Sequence, residues 1–203
     1  MLNNDLSQQI KRNFPYKPTE EQENAVKSFA EFLFSPSADS VFLMKGYAGT
    51  GKTTLTSALV RTLDSLQRKV ILLAPTGRAA KVFSGYAEHP AYTIHKKIYR
   101  QKVFSNETDN FVANQNLHRN TLFIVDEASM IANEGLSGGH FGSGRLLDDL
   151  VQYVYNGLGC RLMLIGDTAQ LPPIGEEESP ALSVAALQLS LIHISEPTRL
   201  ALI

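Results

Sequence analysis

The stretch Val41-Phe-Leu-Met-Lys-Gly46-Tyr-Ala48-Gly49-Thr50-Gly51-Lys52-Thr53-Thr54 decides the fold. Its first four residues are apolar, with no polar alternation. Such a run predicts a strand buried on both faces, as in a parallel sheet. Gly46 to Thr53 then fits G-x-x-x-x-G-K-S/T, and Leu55, Ala58, Leu59, Leu63 and Leu66 follow at helical spacing. A glycine-rich turn between a strand and a helix suits phosphate. The glycines let the N–H groups of Ala48 to Thr54 curl around an anion without Cβ clashes, and the helix N-terminus adds a positive dipole end. Lys52 can reach β- and γ-phosphates, and the Thr53 hydroxyl can ligate Mg²⁺. ATP and Mg²⁺ are the expected ligands; the plain alternative is a glycine-rich turn with no ligand.

Working outward, three more short apolar runs appear: Val70–Ala74, Leu122–Val125 and Leu162–Ile165. Amphipathic stretches lie between them, including Leu146, Leu147, Leu150, Val151 and Val154. Upstream, Thr19-Glu-Glu-Gln22 forms a capping box ahead of Ala25, Val26, Phe29, Ala30 and Leu33. Strands alternating with helices predict an α/β fold with right-handed crossovers, in which ligands bind beyond the carboxyl ends of the strands.

Each predicted strand ends in a chemically distinctive segment. The third ends in Asp126-Glu127. Asp126 would hold Mg²⁺, directly or through water, and Glu127 would polarise an attacking water as general base. A surface acidic turn is the other reading. The fourth strand ends in Gly166-Asp-Thr-Ala-Gln170-Leu-Pro-Pro173. Gln170 suits contact with a γ-phosphate or its attacking water, unless it is a solvated loop residue.

The chain has 203 residues, which suits one domain with a sizeable core. Nineteen basic residues nearly cancel twenty acidic ones, so any polyanion surface must be local. One such strip exists. From Arg78 to Lys102 there are six Lys or Arg residues against the single acid Glu88, with Tyr92, His95 and Tyr99 among them. That suits a single-strand nucleic-acid track with stacking partners, or an ordinary solvated basic face. Cys160 is the lone cysteine, so an internal disulfide is excluded and a reducing cytoplasm is the default. No run approaches the ~20 apolar residues of a membrane span, and the first residues lack an export-signal core.

The ordered set PTEEQ, GYAGTGKTT, LLAPTGRAAKV, TIHKKIY, IVDEASM and LIGDTAQLPPIG resembles the first motor domain of RecD/Dda-like superfamily 1 DNA helicases, from Thr19 to Gly175. The resemblance implies a RecA-like P-loop NTPase domain, a parallel sheet flanked by helices, belonging to a motor that walks 5′→3′ on single-stranded DNA. It assigns adenine reading to Gln22 and γ-phosphate sensing to Gln170. It assigns DNA contact to the loop and helix start bearing Pro75, Thr76, Arg78 and Lys81, and to His95. Gln101–Gln115 reads as a small hairpin, with arms at Lys102-Val-Phe and Phe-Val-Ala, where related helicases carry a strand-separating pin. Leu136–Gly144 reads as a loop without chemistry.

The end of the chain departs from that pattern. Leu189–Arg199 resembles the conceptual translation of a transposon-end adapter used in sequencing libraries. The expected division is therefore a segment 1–18, a helicase domain 19–188 and a non-native tail 189–203. The resemblance also implies a second RecA-like domain in the parent chain, which would bring an arginine finger. A fragment without it should turn over ATP barely. Two other classes stay open: a P-loop kinase or other phosphotransferase, and a non-catalytic ATP-binding, DNA-tethering module.

Overall fold

A computed structural model describes residues 2–37, 40–101, 111–133, 142–192 and 199–202. In chain order these hold α1 (Leu2–Arg12), α2 (Glu20–Leu33), β1 (Val41–Lys45), α3 (Lys52–Ser65), β2 (Lys69–Ala74), α4 (Gly77–Ala87), β3 (Ala91–Thr93), α5 (Ile94–Ile98), β4 (Tyr99–Gln101), β5 (Phe111–Ala113), β6 (Thr121–Val125), α6 (Leu146–Tyr155), β7 (Arg161–Gly166), α7 (Val184–Ile192) and β8 (Arg199–Leu202).

The four apolar runs of the sequence are β1, β2, β6 and β7. They sit together in a sheet ordered β3-β2-β6-β7-β1-β8, with every described pairing parallel. Their unbroken apolar character has a direct cause, because both faces are covered. Phe42, Met44, Leu72, Ile124 and Met163 pack with Val26, Phe29, Leu59 and Phe83 on one side. Val41, Leu43, Leu73, Phe123 and Leu164 pack with Ile98, Leu150 and Val154 on the other. Alternate residues of one strand thus serve opposite cores. Fully burying each such side chain contributes roughly 1.5–3 kcal/mol. The result is the α/β architecture expected from the sequence.

α2 opens with the predicted capping box. Gln22 N donates to Thr19 Oγ1, and Thr19 N donates to Gln22 Oε1. α1 was not foreseen; it tucks Leu6 and Ile10 into the core beside α2. The hairpin arms are β4 and β5, paired antiparallel through Arg100 and Val112. Among the described residues one arm is Tyr99–Gln101, and the expected arm Lys102-Val-Phe lies outside them. The hairpin tip, and most of the Leu136–Gly144 loop, lie outside the described residues. The segment set aside in the sequence reading, 189–203, contains the end of α7 and the edge strand β8, whose backbone pairs with β1 at Phe42 to Lys45.

Because the strands are parallel, β1, β2, β6 and β7 finish on one edge. Lys45 lies opposite Gly166, Val125 opposite Leu164, and Leu73 opposite Val125. Each loop carrying a candidate chemical group leaves from that edge.

Candidate functional site

The loop after β1 needs its glycines for backbone reasons. Gly49 and Gly51 have φ of +82° and +86°, the left-handed region that L side chains rarely adopt. At Gly51 a Cβ would also lie 2.5 Å from Gln22 Nε2. Gly51 is the N-cap of α3 and supplies no side-chain cap. The first N–H groups of α3 are therefore open to an anion at the positive end of the helix dipole.

Lys52 is held at the mouth of this loop. Its Nζ donates to Gly46 O (2.6 Å) and Tyr47 O (2.9 Å), and lies 3.9 Å from Asp167 Oδ2. Facing it is a cleft of about 420 Å³, lined by Ala48, Gly49, Gly51 to Thr54, Asp126, Glu127, Gly166, Asp167 and Gln170. Lys52, Thr53, Asp126, Glu127 and Gln170, named from three separate sequence segments, thus share one cavity.

Three residues named with them are not in its lining. Gly46 donates its N–H to Gly166 O, and Thr50 donates its hydroxyl to Tyr47 O, so both hold the loop's shape. Gln22 stands behind the loop. Its Nε2 donates to Thr50 O at 2.9 Å while its Oε1 serves the capping box. One amide thereby ties the start of α2 to the phosphate loop.

Asp126 and Glu127 follow β6 directly. Asp126 N donates to Leu73 O, continuing the ladder by one residue. Burial raises the Asp126 pKa, against hydrogen bonds from Tyr86 and the Glu127 backbone and against the Lys52 charge. Tyr86 Oη donates to Asp126 Oδ2 at 2.5 Å. Burial and the Asp126 carboxylate push the Tyr86 pKa far up, so the phenol keeps its proton. Glu127 sits at φ 54°, ψ 37°, a left-handed conformation that a non-glycine residue adopts at a cost of about 1–3 kcal/mol. The turn Ala128–Met130 follows, and its buried Ser129 donates to Gln170 Oε1 at 2.5 Å.

Gln170 belongs to the loop after β7, which Asp167 shapes by accepting the Ala169 N–H on Oδ1. Sequence reasoning missed Asp167, Ser129 and Tyr86. A polar residue directly after a buried strand could have flagged Asp167. Nothing local could have flagged Tyr86, which reaches its partner across 40 residues of chain.

Residues named for DNA contact lie beside this cleft. Thr76 is the N-cap of α4, its hydroxyl accepting from Ala79 N. Thr76, Arg78, Ala79, Val82 and Met130 line a second groove that includes Asp126, Glu127 and Gln170. Those three residues face both cavities. Thr76, Arg78 and Lys81 are exposed, and Pro75 is half-buried. His95 sits on α5 after β3, at the edge where Thr93 lies opposite Ala74. Its ring is half-buried 5.7 Å from that of Tyr99, and burial lowers its pKa, so it is neutral at pH 7. Lys97 lies over the Tyr92 ring at 5.7 Å.

The residues present fit magnesium in a limited way. Among the described residues no group of three or more His, Cys, Asp or Glu could hold a metal. A Thr hydroxyl and one carboxylate beside a phosphate-sized cradle suit an ion that keeps its waters and draws ligands from nucleotide phosphates. No described helix is long and apolar enough to cross a membrane.

A family model described as an AAA domain matches residues 17–199. The ATP-dependent RecD2 DNA helicase of Deinococcus radiodurans is 32% identical over 133 residues, 65% of this chain and 16% of that protein. The ATP-dependent DNA helicase Dda of Enterobacteria phage T4 is 30% identical over 141 residues, 68% of this chain and 29% of that protein. The chain thus spans less than a third of either relative. The crystal structure of Pif1 helicase from Candida albicans aligns with a TM-score of 0.49 and 17% identity, covering 91% of this chain and 40% of that one.

Proposed function

Since the chain belongs to the AAA-domain family, as a first motor domain of the RecD/Dda-like helicase branch, we propose that it binds Mg·ATP and serves an ATP-driven 5′→3′ motor on single-stranded DNA. The observation that carries this reading is the cleft where Lys52, Thr53, Asp126, Glu127 and Gln170 meet.

In this reading the N–H groups of Ala48 to Thr54 cradle the phosphates, and Lys52 exchanges its backbone carbonyl partners for phosphate oxygens. Thr53 and Asp126 would hold Mg²⁺, which supplies charge neutralisation at the phosphates when bound. Glu127 accepts a proton from the attacking water. Gln170 senses the γ-phosphate side, and Ser129 holds its amide oxygen. Asp126, Glu127 and Gln170 also line the groove bearing Thr76 and Arg78. A change at the phosphates therefore reaches the DNA-side groove without an intermediary. Pro75, Thr76, Arg78 and Lys81 position the DNA backbone, and neutral His95 offers a ring rather than a charge. Gln22 would meet adenine with the hydrogen-bonding capacity its two internal bonds leave.

Among the described residues no arginine lines the phosphate cleft. Removing such a group from related NTPases costs ~10³–10⁵ in turnover. The 203 residues alone should therefore hydrolyse ATP slowly, with the second RecA-like domain of a parent chain supplying the missing charge. Domain limits at 19–188, an extraneous 189–203 tail and a reducing cytoplasm belong to the same proposal. The test is phosphate release with and without single-stranded DNA in a chain that includes the second domain. DNA-stimulated release that Glu127→Gln abolishes is expected. Phosphate transfer to a small acceptor, insensitive to DNA, would show a kinase instead.

A further inference from the structure

Tyr86 contacts the metal-side carboxylate, yet no step above uses it. It lies in the last turn of α4, and its ring stacks on Phe83 at 5.1 Å between centroids. Ser57 Oγ, from the helix that begins at the phosphate loop, donates to Tyr86 O at 2.5 Å. Backbone and ring are thus held from two sides, and the hydroxyl is delivered to Asp126 Oδ2.

A carboxylate rotates about its χ2 bond at little cost, so an oxygen must be pinned if the other is to face one direction. Tyr86 is the side chain that donates to Asp126, the Glu127 backbone is a second hydrogen-bond donor to its carboxylate, and Lys52 acts on it through its charge. We propose that Tyr86 is a positioning residue for the metal-binding carboxylate. It occupies Oδ2 and so presents Oδ1 of Asp126 to Mg²⁺ or to one of its waters. This rests on the reading of Asp126 given above.

A phenol that merely needs a partner when buried would show the same contact. The two cases differ in what removal does. A structural role changes folding and nucleotide affinity alike, whereas a positioning role changes only the part of binding that depends on the metal.

The test is a fluorescent ATP analogue titrated into the 203-residue chain, first in EDTA and then across Mg²⁺ concentrations. Tyr86→Phe keeps the ring on Phe83 and loses the hydroxyl. Its affinity in EDTA should stay within about twofold of wild type, while the Mg²⁺ midpoint should rise about five- to tenfold, the scale of one lost hydrogen bond. Asp126→Asn should raise that midpoint at least as far. If Tyr86→Phe leaves the midpoint unchanged or lowers it while Asp126→Asn raises it, the positioning role is overturned and the Asp126 reading stands. If neither variant moves it, Asp126 is not the metal residue and both fail. Should Tyr86→Phe not fold, Tyr86→Leu, which also lacks the hydroxyl, is read the same way.

Discussion

Ser129 Oγ donates to Gln170 Oε1 at 2.5 Å, joining the turn after β6 to the loop after β7. Gln170 is itself exposed, so this bond, rather than packing, fixes its amide. Ser129→Ala should leave ATP affinity within about twofold, because the serine does not line the phosphate cleft. The rate of hydrolysis should fall about tenfold in single-turnover measurements, less than the ~10²–10³ of removing a transition-state donor outright, because Gln170 is still present. Water can satisfy the released amide, so the loss of stability should stay near the ~0.5–1.5 kcal/mol of one hydrogen bond.

Gly49 and Gly51 have nearly the same φ and different surroundings. An added Cβ meets nothing within 4 Å at Gly49, and lies 2.5 Å from Gln22 Nε2 at Gly51. Gly49→Ala should cost about 1–2 kcal/mol in chemical denaturation, the strain of a left-handed alanine. Gly51→Ala should cost more, and Gln22→Ala should recover part of the difference. Equal losses in the two glycine variants, with no recovery, would mean that Gln22 does not brace the loop.

His95 makes the stability of the fold depend on pH. Burial lowers its pKa from the ordinary 6.5. As pH falls below that value the unfolded imidazole takes a proton that the folded one resists, so stability is present at neutral pH and declines on acidification. His118 is shifted the same way by burial and by nearby lysines. Thermal melts between pH 7.5 and 5.5 should show a smaller drop for His95→Gln than for wild type. An equal drop would mean that His95 titrates alike in both states.

Arg78 and Lys81 are exposed and belong to the start of α4. Each alanine variant should keep its stability within about 0.5 kcal/mol. If each neutralises one phosphate, each should reduce the slope of log affinity for single-stranded DNA against log salt by about 0.7. Fluorescence anisotropy on a labelled oligonucleotide measures this. His95→Gln should weaken binding without changing the slope, because the folded ring is neutral. An unchanged slope in Arg78→Ala would remove that residue from the DNA backbone.

The sequence made the sheet centre legible because burial on two faces leaves an unbroken apolar run, as at Val41–Met44. It also placed the chemistry, because a parallel sheet sends Lys52, Asp126 and Gln170 to one edge whatever the details of packing. What it hid were contacts between distant segments and weakly patterned elements. Tyr86 reads as one more aromatic on a helical stripe, and only the approach of α4 to β6 turns its hydroxyl toward Asp126. Among the described side chains of α1 just two apolar ones, Leu6 and Ile10, are buried to below a tenth, too sparse a pattern to announce a helix. β3 has three residues and no apolar run, so it follows from pairing with β2 rather than from its own composition.

The central claim is that a single nucleotide occupies the cleft and displaces Lys52 from its internal partners. A crystal structure with Mg²⁺ and a non-hydrolysable ATP analogue tests it most directly. The predicted result has Lys52 Nζ withdrawn from the carbonyls of Gly46 and Tyr47 and bonded to phosphate oxygens, with Asp126 and Gln170 on the same nucleotide. A nucleotide bound elsewhere, or Lys52 still on those carbonyls with the analogue in place, would contradict it.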